Sequence, residues 1–162
     1  MKIKFLGALA ALSLLAACNS PPPPATTGAG MGAGTMTPAP GGPAPGSQED
    51  LVAQAGDRVF FAFNSSKLTP DAQGTIDKQA GFLQQYPQDN VQVAGNCDER
   101  GTEEYNLALG QRRANSDRDY LVAKGVASSR ISTISYGKDR PTALGSNEEA
   151  WAQNRNAITT VQ

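Results

Sequence analysis

Hydrophobic and polar positions change rhythm several times along this chain. The run DRVFFAF, Asp57 to Phe63, is aromatic and β-branched and predicts a strand. In TPDAQGTIDKQAGFLQQYP, Ala72, Ile76, Ala80 and Leu83 recur at helical spacing. Thr69 is placed to cap that helix, Pro70 suits its first position, and Tyr86 and Pro87 close it. Asn90 to Gly95 alternates as a strand with one face inward. A second helix is predicted from a cap at Thr102, with Glu103 and Glu104 favouring its dipole, to about Lys124, before the stop at Gly125. Ser129 to Gly137 alternates again, SNEEAWAQN reads as a short helix opened by Ser146 or Asn147, and NAITTVQ as a final strand. Strands alternating with helices predict an α/β sandwich, one mixed sheet of about four strands packed by helices. Asp117 falls between Ala114 and Leu121 on the apolar face of the second helix. Burying a charge is costly, so that face is expected to be partly open there.

The chain before residue 49 follows no such rhythm. Lys2 and Lys4 precede an apolar run from Phe5 to Leu15 and then LAAC, ending at Cys18. A basic start, a short apolar stretch and small residues describe a secretory signal over residues 1–17, too short to be a permanent span. LLAAC resembles the lipobox of bacterial lipoproteins, which makes Cys18 the lipidated N-terminus of the processed chain. Several acyl chains at roughly 0.8 kcal/mol per buried methylene give stable anchoring. By the sorting rule of enteric lipoproteins, Asn19 after the cysteine implies the outer membrane. Residues 18–48 then form a tether: Asn19 to Gln48 holds 8 prolines and 7 glycines with no charge and no aromatic. Such a segment cannot offset its ordering entropy and is expected to be disordered, spanning roughly 30 Å on average and about 100 Å when taut. The folded domain is expected over residues 49–162.

Composition narrows the chemistry. Without Lys2 and Lys4 the chain keeps 12 basic and 15 acidic side chains, a formal −3, so no basic surface for nucleic acid is expected. With Cys18 lipidated, Cys97 has no partner within the chain and is expected to be buried and inert, or else free to pair between molecules.

The charge gathers in AGNCDERGTEEYN, Ala94 to Asn106, where the chain leaves a strand, turns at Gly101 and enters a helix. Backbone N–H groups, a carboxylate and later arginines can converge there on one ligand. A ligand group carrying both a carboxylate and an ammonium needs one acidic and one basic partner, for which Asp98 and Arg113 are candidates, arginine because its planar fork takes a carboxylate bidentately. Asp98 with Glu99 or Glu104 would instead supply the two carboxylates of a glycosidase. A nucleophilic Cys97 lacks the usual base in a chain with no histidine. Cys97, Asp98 and Glu99 lack the spacing of a thiolate metal site. On the residues alone, DERGTEE also reads as a solvated loop stitched by local ion pairs.

The run GNCDERGTEEYNLALGQRRANSDRDYLVAKGV from Gly95 to Val126, then ISTISYGKDRP and the late Asn154 and Arg155, resembles the OmpA-like family, in the version carried by its wall-binding lipoproteins. The resemblance covers about Asp57 to Gln162. It implies the OmpA-like two-layer sandwich, no catalysis and no cofactor. It also implies an outer-membrane lipoprotein, with its domain in the periplasm, that grips peptidoglycan through the meso-diaminopimelate of the stem peptide. Asp98 and Arg113 match the family's ligand-holding pair. Thr102, Tyr105 and Asn106 fall in its groove-lining stretch, as does the loop Asn64 to Ser66 with Ser65, and Arg155 matches a terminal arginine. The resemblance further implies TolB and other Tol proteins as partners, TolB on a surface overlapping the groove. A related lipoprotein without a Tol partner and a cell-wall hydrolase are the alternatives. This chain departs from the family at Asn96, where histidine is frequent, and at Asn156, where a second arginine is usual. If the helix starts at Thr102, Arg113 lies 11 residues along it, about 16 Å of rise. The loop must then fold back over the helix, or the first turn must be irregular, for Arg113 to approach Asp98.

Overall fold

A computed structural model describes residues 41–162, so the expected signal segment, Cys18 and most of the tether lie outside the described residues. The elements are α1 (Gln48–Gln54), β1 (Arg58–Phe60), α2 (Pro70–Gln85), β2 (Val91–Asn96), α3 (Glu103–Ala123), a 3₁₀ turn (Ser128–Arg130), β3 (Ile131–Gly137), α4 (Glu148–Asn154) and β4 (Asn156–Val161). The sheet runs β1-β4-β2-β3. β2 and β3 are parallel and joined through α3, while β4 inserts antiparallel between β1 and β2. α2 and α3 pack on the sheet and on each other, completing a mixed two-layer sandwich. Its core gathers Leu51, Val59, Ile76, Leu83, Val91, Val93, Ala114 and Leu121. Among the described residues, no helix is long and apolar enough to cross a membrane.

The caps fall where the residue types put them. The side chains of Thr69, Thr102 and Asn147 accept from the backbone of Ala72, Tyr105 and Ala150, opening α2, α3 and α4. Two strands are shorter than their residues predict. β1 stops at Phe60 because its partner runs out: Phe60 pairs with Asn156, the first residue of β4. β3 begins at Ile131 because Ser128–Arg130 winds into the 3₁₀ turn, which aims Arg130 at the end of α2. There its guanidinium donates to the carbonyls of Leu83, Tyr86 and Asp89 at 2.8 to 2.9 Å, satisfying a helix end that lacks its own partners.

The helix α1 was not apparent in the sequence. Ser47 caps it, and the Gln48 side chain ties its start to β4, donating to the Thr159 carbonyl (3.2 Å) and accepting from the Val161 N–H (2.8 Å). β2 and α3 touch through two glycines. A Cβ at Gly95 would overlap the Gly110 carbonyl outright, and one at Gly110 would lie 2.7 Å from the carbonyl oxygen of Gly95. This close approach seats α3 directly over β2.

The expectation of an open face at Asp117 is overturned. Its side chain is fully buried, and neither oxygen has a hydrogen-bond partner among the described residues. The reason is that α3 is covered by α2 on one side and by the sheet on the other. Burial raises this carboxyl to about 7. The folded state therefore holds a proton that the unfolded chain releases from near pH 4, so stability falls as pH rises from about 4 to about 7. The loss approaches a ceiling of about 4 kcal/mol. Urea unfolding between pH 4 and 9 is expected to show this slope for the native chain. Asp117→Asn is expected to flatten it and to be the more stable form at pH 8.

Candidate functional site

The loop from Cys97 to Thr102 joins the end of β2 to the start of α3 and is fixed by its own polar atoms. The Cys97 N–H donates to the Gly137 carbonyl (2.7 Å) at the end of β3. Gly101 takes φ +93, a turn that glycine adopts without strain. The Asn106 amide reaches back from α3 to the carbonyls of Arg100 (2.9 Å) and Thr102 (3.1 Å), latching the loop to the helix.

Below this loop lies a cavity of about 180 Å³. Asp98, Arg113, Asn64, Tyr105 and Asn106 line it together, as do Arg100 and Phe63. The Tyr105 hydroxyl donates to the Asn64 side chain and closes one rim. Asn64 has φ +52, a left-handed conformation that asparagine tolerates better than most residues. The other three predicted residues support this cavity without lining it. Thr102 caps α3, the Ser65 carbonyl accepts from Arg113, and Arg155 lies behind Asp98. Its guanidinium donates to Phe61 (3.2 Å), to Asp98 Oδ2 (3.4 Å) and to Glu148 (2.8 Å).

The long rise from Thr102 to Arg113 resolves without an irregular turn. Helical side chains point back toward the N-terminus, and Arg113 reaches up α3 to the end of β2. Its Nε donates to the Ser65 carbonyl (2.9 Å), Nη1 to Asn96 (2.7 Å) and to Cys97 Sγ (3.4 Å), and Nη2 to Ala62 (3.2 Å). Of the five guanidinium protons, one on Nη2 is left over. Arg113 is fully buried, and burial pulls its proton affinity down, though a guanidinium stays charged at physiological pH.

Asp98 is 4% exposed and its acceptors are filled. Arg100 grips it with Nε on Oδ1 (3.1 Å), Nη2 on Oδ2 (2.6 Å) and its backbone N–H on Oδ1 (3.2 Å). Burial alone pushes the carboxyl up, but the Arg100 side-chain and backbone hydrogen bonds outweigh it and hold Asp98 below its ordinary value. Hydrogen bonds from Ser146 and Trp151 lower Glu99 as well. Neither carboxyl is therefore poised as the proton donor a glycosidase requires. Burial pushes the Cys97 thiol up, away from the nucleophilic thiolate. Among the described residues no cluster has the makings of a metal site.

Arg100 is the site residue that sequence reasoning passed over. Its guanidinium lies 4.2 Å from the ring of Phe63 and 4.1 Å from that of Trp151, a cation between two aromatic faces. It was visible only as one charge in DERGTEE, because both aromatic partners are distant in sequence. Two departures from the family pattern also meet here: Asn96 Nδ2 donates to Asn156 Oδ1 (2.8 Å), with both residues buried.

Known proteins share this architecture. The model of the OmpA family matches residues 60–155. A peptidoglycan-associated lipoprotein of Rhizobium meliloti is 47% identical over 149 residues, covering 91% of this chain and 81% of that one. That of Mesorhizobium japonicum is 49% identical over 156 residues, covering 95% and 89%. The crystal structure of the peptidoglycan-associated lipoprotein from Burkholderia pseudomallei superposes with a TM-score of 0.65 at 41% identity, covering 69% of this chain and 93% of that one. The C-terminal domain of Helicobacter pylori MotB shares the fold, with a TM-score of 0.62 at 23% identity, covering 65% of this chain and 84% of that one. The chain belongs to the OmpA family and, within it, to the peptidoglycan-associated lipoproteins.

Arg113→Lys keeps the charge but strands the carbonyls of Ala62, Ser65 and Asn96. It is expected to lower stability by about 2–4 kcal/mol, read as a shift in the urea midpoint.

Proposed function

We propose that this chain ties the outer membrane to the cell wall, with Cys18 lipidated in the membrane and the cavity below the β2–α3 loop holding the meso-diaminopimelate of a peptidoglycan stem peptide. One observation carries the reading: a buried, ionised carboxylate, Asp98, shares a cavity of about 180 Å³ with the cationic groups of Arg100 and Arg113. That pairing suits the free end of diaminopimelate, where one carbon bears both an ammonium and a carboxylate. Asp98 would take the ammonium, and the spare Nη2 proton of Arg113 would take one oxygen of the carboxylate. The names of the relatives support a peptidoglycan ligand and a lipid anchor. Phe63 and Tyr105, 59% and 45% exposed at the rim, give a protein partner apolar surface to cover, and TolB with the Tol system is the partner that the family resemblance implies over the same cavity. Sharing one surface makes wall and TolB alternatives to each other, which suits a tie that must be released and remade during cell division.

Calorimetric titration of the full chain, purified in detergent, with a stem peptide ending in meso-diaminopimelate tests the reading. Saturable binding is expected, much weaker for the lysine analogue, which lacks the distal carboxylate, and absent for Asp98→Ala. A folded native chain that binds neither peptide would return DERGTEE to a solvated loop.

A further inference from the structure

Arg113 keeps one proton for a ligand, so a bidentate grip on a carboxylate has to come from elsewhere. Arg100 is the other guanidinium lining the cavity, and it is one-third exposed. Its carboxylate partners are Asp98, at 2.6 Å, and Glu148, at 3.9 Å. Glu148 gives its other oxygen, Oε1, to Arg155 at 2.8 Å, and it is largely exposed. Asp98 therefore has no open acceptor for an incoming ammonium until Arg100 gives one up.

We propose that Arg100 determines specificity: the zwitterionic end of the ligand inserts into the Asp98–Arg100 ion pair, its ammonium replacing the guanidinium on Asp98 and its carboxylate replacing Asp98 on the guanidinium. This rests on the reading of the cavity as the diaminopimelate site. The exchange conserves charge pairing, because one ion pair opens and two form. A ligand ending in an ammonium alone opens the same pair and forms one, leaving the guanidinium with only the exposed Glu148, whose nearer oxygen lies 3.9 Å away. Selectivity then follows from the loss of the guanidinium's close carboxylate partner rather than from pocket shape. Phe63 and Trp151 make the exchange possible. Attraction to the two ring faces does not depend on which carboxylate the guanidinium edge meets, so the cation keeps its seat while changing partner.

The test compares the full native chain with Arg100→Gln, Arg100→Lys and Asp98→Ala, each titrated with the diaminopimelate peptide and its lysine analogue. Emission of Trp151, the single tryptophan, is followed alongside. Arg100→Gln is expected to weaken the diaminopimelate peptide by about tenfold or more and to leave the lysine peptide unchanged or tighter, so that the ratio falls toward one. Arg100→Lys, a cation without the fork, is expected to fall between. In the native chain the diaminopimelate peptide is expected to shift Trp151 emission, and Arg100→Gln to abolish the shift. A ratio retained in Arg100→Gln overturns the proposal, as does equal tightening of both peptides, which would make Arg100 a simple competitor for Asp98. If Arg100→Gln does not fold, Arg100→Lys decides: a native ratio there overturns the proposal and an intermediate one supports it. A native chain that binds neither peptide, or an Asp98→Ala variant that binds as the native does, overturns the underlying site reading and the exchange with it. That outcome is separate from one in which only the Arg100 variants fail to respond.

Discussion

A guanidinium with no access to water has to place its protons on protein acceptors, and Arg113 places its own on two separate pieces of chain. Ala62 and Ser65 belong to the segment that follows β1, and Asn96 and Cys97 to the end of β2. Neither segment is held against the other by the sheet, because β4 lies between β1 and β2. One side chain rising from α3 thus closes the gap and sets the width of the cavity. The glycine contact between β2 and α3 sets the height from which it rises. Together with Arg155, which joins Phe61 to Asp98, and the Tyr105–Asn64 hydrogen bond, this staple holds Asp98, Arg100, Asn64 and Tyr105 in their relative positions.

Whatever depended on neighbours in sequence was legible before the structure. Thr69, Thr102 and Asn147 are caps because their oxygens reach a backbone N–H three residues on, a relation that needs no tertiary context. The ends of strands were less legible, since β1 stops where β4 runs out and β3 starts where Arg130 is needed elsewhere. α1 went unseen because it follows a run of proline and glycine and is fixed by Gln48 on a strand 111 residues away. Asp117 was read through the ordinary cost of a buried charge, whereas a carboxyl near neutrality avoids that cost by holding its proton.

The site divides along the same line. Asp98 and Arg113 were picked for their chemistry, and both line the cavity. Which guanidinium has protons free for a ligand depends on carbonyls supplied by the fold, and that is invisible in a string of residues. The Asn96–Asn156 pair illustrates the point from another side. Read singly, each looked like the loss of a charged or titratable family residue. Together they form a neutral amide contact between β2 and β4 directly behind the charged loop.

Gln48 fastens the start of α1 to the far end of β4, beside Thr159 and Val161. The cavity sits at the opposite end of the sheet, where Gly95 of β2 pairs with Ala157 of β4. A pull arriving through the chain before residue 48, resisted by a ligand held at the other end, therefore runs along the strands. It loads the β2–β4 ladder in shear, so that its hydrogen bonds bear the force together instead of opening one after another. On the proposed function, the domain would serve as a mechanical link whose two points of attachment are separated along the direction in which a sheet is strongest.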